Sequence, residues 1–307
     1  MSMIACRARF QTGEISKENY LEKMYEFHSY LFEYTKFIKS TDIWNIEIQE
    51  EGLIFTLRNF NIKLLCTKLD KRVTPIEILN FSSYEKKEAE IFFSLLAPNM
   101  VFFDIGAHVG FYSIQAAKRE ETIKIYAFEP IPQTFDMLKK NILLNNVDNI
   151  HPYNVGFLDV NEDVDFYFNP IMSGNASARN LSGINSKKIT SKVVSLDNFL
   201  LENEISSIDI IKCDIEGGEL LVFRGGLDSL KKNLPIIFTE MLRKWSEKFN
   251  YHPNEIIQLL AGLGYRCFAA SGEKLIEFFI MNKESLETNF FFLHNEKHSE
   301  QIKSLVY

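Results

Sequence analysis

The chain has 307 residues, 46% of them hydrophobic, enough to bury the core of one large domain or of one domain with a smaller appendage. Its net charge of -7 argues against sequence-independent nucleic-acid binding, which needs a basic footprint to displace counterions. No apolar run approaches a membrane span, and the start Met1-Ser-Met-Ile-Ala-Cys-Arg7 lacks a signal sequence's apolar stretch, so a cytoplasmic protein is expected.

Residues 1–74 read as an appendage of one helix and a β-hairpin. Leu21, Met24, Tyr25, His28, Leu31 and Phe32 recur at helical spacing behind Ser16, a plausible cap. Such a face is expected in the core. As an oligomer surface it would instead leave a homo-oligomer open. Trp44, Ile46 and Ile48 alternate with polar residues, Glu51-Gly52 supplies a turn, and Leu53, Phe55 and Leu57 alternate again, with Ile62 to Cys66 as a third strand. Residues 75–294 then form the main domain, and 295–307 a polar tail that frays or makes a short helix. Cys6, Cys66, Cys213 and Cys267 are scattered with no C-x-x-C pair, so free thiols are expected rather than disulfides or a zinc site.

Tyr84-Glu85 starts a helix that Pro98-Asn99 ends. Met100 to Phe103 is apolar without alternation, as in a strand covered on both faces of a parallel sheet. Asp104-x-Gly106-x-x-x-Gly110 then turns into a helix. The dinucleotide fingerprint G-x-G-x-x-G presses backbone N–H groups against a pyrophosphate. Asp104 stands where its first glycine would be. An anion there repels a pyrophosphate and suits a cofactor carrying an ammonium and a sulfonium, as S-adenosylmethionine does. The second strand, Ile123 to Phe128, ends in Glu129-Pro130, where a carboxylate is placed to accept hydrogen bonds from both ribose hydroxyls. The plainer alternatives are a helix cap for Asp104 and a solvated strand end for Glu129.

A helix from Gln133 to Asn146 leads to a third strand, Ile150 to Val155, and to Asp159, either at the adenine edge or a simple turn carboxylate. Strands Val164 to Phe168 and Ile189 to Val194 flank Asn169 to Lys188, a Gly, Ser and Asn-rich loop that reads as a lid or acceptor-binding loop, or as an excursion with no role. Ile208 to Cys213 is a fourth strand carrying Lys212, and Asp214, Glu216 and Glu219 follow it, more carboxylates than a helix start needs. Pro235 to Thr239 brings Glu240 to the same edge. A helix from Asn254 to Leu263, stopped by Gly264, precedes strands at Tyr265 to Ala270, Glu277 to Met281 and Phe290 to Leu293. This βαβ alternation indicates the α/β class.

Asp104-Ile-Gly-Ala-His-Val-Gly110, Ala127-Phe-Glu-Pro130, Ser195-Leu-Asp197, Ile211-Lys-Cys-Asp-Ile-Glu-Gly-Gly-Glu219 and Thr239-Glu240 resemble the successive motifs of the FkbM-type methyltransferases. These are class I S-adenosylmethionine enzymes that commonly methylate hydroxyl groups on glycans or polyketides. The resemblance covers about Pro75 to His294. It departs at His108, where the family more often has Asn, and at Gly218, where it often has Ala. It implies a Rossmann-like α/β fold with a seven-stranded, mainly parallel sheet between helices. It also implies cofactor contacts at Asp104, Gly106, Ala107, His108, Gly110, Glu129 and Pro130, with Tyr84 of the Tyr-Glu pair and Asp159 as further candidates.

For the chemistry, Glu216 is read as general base, Asp214 as partner to cofactor or acceptor, and Lys212 as their orienting charge. The expected acceptor is a small molecule or glycan, by resemblance a sugar hydroxyl. A divalent metal on Asp214 and Glu240 is a rival, disfavoured because hard cations need more oxygen ligands. Two other classes stay open. A nicotinamide-dependent oxidoreductase fits Glu129 but not Asp104. A non-catalytic S-adenosylmethionine-binding module leaves Lys212, Asp214, Glu216 and Glu219 unexplained.

Overall fold

The computed structural model describes residues 1–68, 70–181, 183 and 186–307. Ser182, Ile184 and Asn185, within the expected Asn169 to Lys188 loop, lie outside the described residues. A first antiparallel sheet, in the order of the chain, comprises β1 (Ile43–Gln49), β2 (Gly52–Leu57) and β3 (Lys63–Cys66). The hairpin and third strand expected there are found. Ile43, Phe55, Leu57 and Leu64 join Phe102, Ile114 and Leu138 in one buried cluster, so this sheet packs on the main core.

The main sheet begins with β4 (Val101–Ile105), β5 (Lys124–Phe128) and β6 (Ile150–Tyr153). A second small sheet follows, from β7 (Gly156–Phe157), β8 (Glu162–Asn169), β9 (Met172–Ser177) and β10 (Lys187–Val194), in the order β7-β10-β8-β9. The chain then returns to the main sheet with β11 (Ile210–Cys213), β12 (Ile236–Glu240), β13 (Tyr265–Ser271), β14 (Lys274–Glu277) and β15 (Asn289–His294). Its order is β14-β13-β15-β12-β11-β4-β5-β6. The five strands from β12 to β6 run parallel, while β15 pairs antiparallel with β12 and with β13. Among the described residues the sheet therefore has eight strands where seven are expected.

Alternate side chains enter opposite clusters. Phe102, Ile210, Phe238 and Phe291 face one, and Phe103, Ile211, Ile237 and Phe292 the other. Burial on both faces explains the unbroken apolar runs. The chain leaves β4 towards β5 and β6 on one side, and places β11 and β12 on the other. Loops diverge at such a reversal and leave a crevice at the carboxyl ends of the strands.

Several expectations are corrected. The helix Lys17–Phe37 forms, with the Ser16 hydroxyl accepting from the Asn19 amide at 3.2 Å. Of its apolar stripe, however, only Met24 is buried, and Tyr25 and Phe32 are 74% and 73% exposed. An earlier helix, Met3–Gln11, packs against it, with Phe10 stacked on Tyr20 at 4.5 Å. The strand expected at Glu277 to Met281 lies earlier, as β14, because Ser271 pairs with Lys274 around a tight turn at Gly272, φ +64°. The expected loop from Asn169 to Lys188 contains β9. Helix Thr74–Phe81 was not expected, although Pro75 in its first turn is a start signal. The polar tail holds the helix Ser299–Leu305. All four cysteines are free and buried. Among the described residues no helix is long and apolar enough to cross a membrane.

Candidate active site

Asp104, the last residue but one of β4, is buried, with Oδ2 accepting from the Ser113 hydroxyl at 2.6 Å. Its Oδ1 has no partner among the described residues. Burial raises its carboxyl above the ordinary range, opposed by Lys212, its neighbour in register on β11. The loop beyond it needs left-handed backbone at Gly106 and Gly110, φ +82° and +92°. A Cβ on Gly106 would lie 1.9 Å from the Asp214 carbonyl oxygen, so this glycine lets the loops after β4 and β11 touch. A Cβ on Gly110 would meet the Leu138 side chain at 2.7 Å.

The amides of Gly106 and Ala107 both donate to the Phe128 carbonyl, at 3.0 and 2.9 Å. Those of His108 and Ile131 donate to the two oxygens of Glu129, at 3.1 and 2.9 Å. Glu129 thus joins the ends of β4 and β5. It is a buried strand end, not a solvated one, and burial pushes its carboxyl up to about 7 against the pull of those two donors.

The turn after β11 is held by Glu219. Its Oε1 accepts from the Ile215 and Gly217 amides at 3.1 and 3.0 Å, and its Oε2 from the Tyr251 hydroxyl at 3.2 Å. That clamp leaves Glu216 in the left-handed region at φ +58°. Its Oε2 is buried without a partner among the described residues. Burial first, and then the charges of Asp214 and Glu219, push its carboxyl up to about 8. Lys212 donates to Asp214 Oδ2 at 3.1 Å. Burial works against its charge, yet Asp214, Asp104 and Glu85 together hold it protonated above the usual range. Glu85 accepts from the Tyr112 hydroxyl at 2.6 Å and from the Asn289 side-chain amide at 3.3 Å.

These turns border a cavity of about 550 Å³. Tyr84, Gly106, His108, Glu129, Pro130, Asp214 and Glu216 line it, so most of the expected site residues meet there. Asp104, Ala107, Gly110 and Lys212 stand behind its wall, where they shape the loops and orient Asp214. Asp159 is exposed and outside the lining, and the cavity is faced instead by its apolar neighbours Phe157 and Leu158. The Ser195-Leu-Asp197 motif is structural: Ser195 caps its own helix at the Asn198 amide, and Asp197 accepts from the Ser229 amide at 2.7 Å.

Other lining residues come from the expected Asn169 to Lys188 loop or were missed. Ser173, on β9, joins its hydroxyl to His108 Nε2 at 2.8 Å, and its amide donates to Asp70 Oδ2 at 3.0 Å. Asp70 Oδ1 also accepts from the Arg72 amide at 2.9 Å, and Arg72 lines the cavity. At the other end of β9, the Ser177 hydroxyl donates to the Glu216 carbonyl at 2.9 Å. Burial lowers the His108 imidazole to about 4, so it meets Ser173 as a neutral ring. No motif marks Asp70 or Arg72. Their only signal is polarity just ahead of the Thr74-Pro75 helix start. Among the described residues no group of three or more His, Cys, Asp or Glu side chains is arranged to hold a metal ion.

Relatives similar in sequence include three methyltransferases. The hexuronic acid methyltransferase AglP of Haloferax volcanii is 27% identical over 43% of this chain and 52% of its own length, so the chain spans about half of that relative. The 2-O-methyltransferase NoeI of Sinorhizobium fredii is 27% identical over 50% of this chain and 68% of its own. The 31-O-demethyl-FK506 methyltransferase FkbM of Streptomyces tacrolimicus is 23% identical over 57% and 75%. A solved structure, methyltransferase FkbM from Methylobacillus flagellatus, covers 67% of this chain and 47% of its own at 14% identity and a TM-score of 0.45. The family described as the methyltransferase FkbM domain matches residues 104–267. That match runs from the carboxylate at the end of β4 into β13, more than half of the 307 residues, and the chain belongs to the FkbM methyltransferase family.

Proposed function

We propose that the chain transfers the methyl group of S-adenosylmethionine to a hydroxyl oxygen of a sugar or glycan, within a unit spanning residues 75–294. The observation that carries this reading is Glu216, whose buried Oε2 has no partner among the described residues, in a cavity that Glu129 also lines. The residues present fit the cofactor. Each Glu129 oxygen accepts one backbone N–H and keeps a second lone pair for a ribose hydroxyl. Pro130, Phe157 and Leu158 offer an apolar wall for an adenine, and Asp214 and Glu240 suit a cation. The cofactor would supply an electrophilic methyl carbon on a sulfonium.

The chain's own task is to hold the acceptor oxygen in line and to remove its proton. Glu216 Oε2 receives that proton as general base, worth about 10² to 10⁴ in rate. Lys212 fixes Asp214 beside it. The name of the hexuronic acid relative supports a sugar as acceptor, and that of the 2-O-methyltransferase supports an oxygen as the methylated atom.

Calorimetry with S-adenosylmethionine and with NAD, followed by labelled methyl transfer to a panel of glycosides, tests the reading. S-adenosylmethionine should bind the more tightly. Glu129→Ala should weaken it by about 1.5 to 3 kcal/mol, the range for hydrogen bonds to a charged group. Preference for NAD, or the absence of label in every glycoside, would overturn it.

A further inference from the structure

We propose that Arg72 forms an anion subsite in this cavity and that the preferred acceptor is a sugar bearing a carboxylate. The inference deepens the methyl-transfer reading and rests on it. Among the described residues Arg72 is the one lysine or arginine that lines the cavity. Its Nε pairs with Glu77 Oε1 at 2.9 Å, and the two side chains are 51% and 11% exposed. The buried carboxylate therefore holds one edge of the guanidinium, and the terminal nitrogens have no partner among the described residues. An Arg fixed in this way presents a planar pair of donors that matches a carboxylate in two parallel hydrogen bonds.

The backbone beneath it is fixed too. Asp70 accepts from the amides of Arg72 and Ser173, and Ser173 is tied to His108 of the loop after β4. The guanidinium also lies within electrostatic reach of Glu216, whose carboxyl it helps to lower. An anion on Arg72 would thus sit on the same substrate as the hydroxyl that Glu216 deprotonates.

The lining also contains seven carboxyl groups, and they decide which anion fits. Glu77 is engaged by Arg72 and Asp214 by Lys212, while Glu88 is half-buried on the helix Lys86–Ser94. Burial raises Glu85, Glu129, Glu216 and Glu240 towards their neutral forms. Because Glu77 already balances the guanidinium, the subsite recognises an anion by its paired donors rather than by excess charge, and these fit a singly charged carboxylate better than a phosphate carrying up to two charges.

The test compares a methyl hexuronide with the methyl hexopyranoside that carries CH2OH in place of its carboxylate, in the parent, Arg72→Gln and Arg72→Lys. The parent should favour the hexuronide by about 10- to 100-fold in kcat/KM, the effect of charge-assisted hydrogen bonds. That ratio should collapse towards one in Arg72→Gln and recover in part in Arg72→Lys. Thermal melts report whether each variant folds. If Arg72→Gln does not, Glu77→Gln, which releases the guanidinium edge, should lower the same ratio. Equal parent rates on the two acceptors, or an equal loss on both in the variants, would overturn the subsite and leave methyl transfer standing. Transfer to neither sugar would overturn the sugar acceptor and the subsite together.

Discussion

Glu216 occupies a backbone conformation that residues with a Cβ seldom adopt, held there by the clamp that Glu219 makes on the turn. A carboxyl raised to about 8 is mostly protonated at neutral pH, and only its ionised form can act as base. The rate should therefore rise with pH through an apparent value at or below about 8, since a bound cation favours ionisation. Glu216→Gln should lower kcat by about 10² to 10⁴ and abolish that rise. Near-normal turnover in this variant would remove the base assignment, and activity lost to EDTA and restored by Mg²⁺ would select the metal alternative. At this scale the chain was legible where local pattern and burial coincide. Asp104, Glu129 and Lys212 end or interrupt apolar strands, and Glu219 sits where a turn needs an acceptor. Of the two readings of Asp159 its exposure fits the turn carboxylate, because one step along the chain exchanges a cavity-facing side chain for an exposed one. Arg72 was missed because its position depends on Asp70 and β9, a pairing of segments distant in sequence that no local spacing records.

Strand β9 lies where its small polar residues suggested a lid or acceptor-binding loop, and it lines the cavity. Composition predicts how readily a segment orders alone, whereas β9 is ordered by partners, Asp70 and His108 at one end and the Glu216 turn at the other. Ser173→Ala removes the hydroxyl between β9 and the loop after β4. Hydrogen exchange at β9 amides should then quicken by about 2- to 10-fold, the effect of one hydrogen bond, with β4 unchanged. Equal exchange in parent and variant would show that this contact does not order the strand. The main strands were easier to read. Burial on both faces writes itself into sequence as runs such as Phe290-Phe291-Phe292, and all three are buried. The eighth strand was misplaced because β14 is short and is positioned by the Gly272 turn rather than by apolar content. The helix Lys17–Phe37 shows the converse. Its periodicity was correct, but periodicity cannot say whether another element arrives to cover the face.

Across the whole molecule, burying so many carboxyl groups couples stability to pH. Glu129 and Glu219 are pushed up to about 7 and Glu216 to about 8 from an ordinary value of 4.5. Between those limits the folded chain holds protons that the unfolded chain has released, so the stabilisation is full below about pH 4.5 and is lost as pH rises through 7 to 8. The Tm of the cofactor-free protein should fall between about pH 5 and 8, and S-adenosylmethionine should flatten the slope by stabilising the ionised forms. A Tm independent of pH over that window would mean that these groups titrate normally. The first small sheet bears on another whole-molecule property. Asn145 accepts from the Lys63 amide and donates to the Lys63 carbonyl, while Asn141 accepts from the Leu65 amide and donates to the Val109 carbonyl. Two buried side chains of the helix Pro132–Asn145 thereby act as a substitute strand along the outer edge of β3. That edge is closed to any further chain, and edge-to-edge association through this sheet is confined to β1.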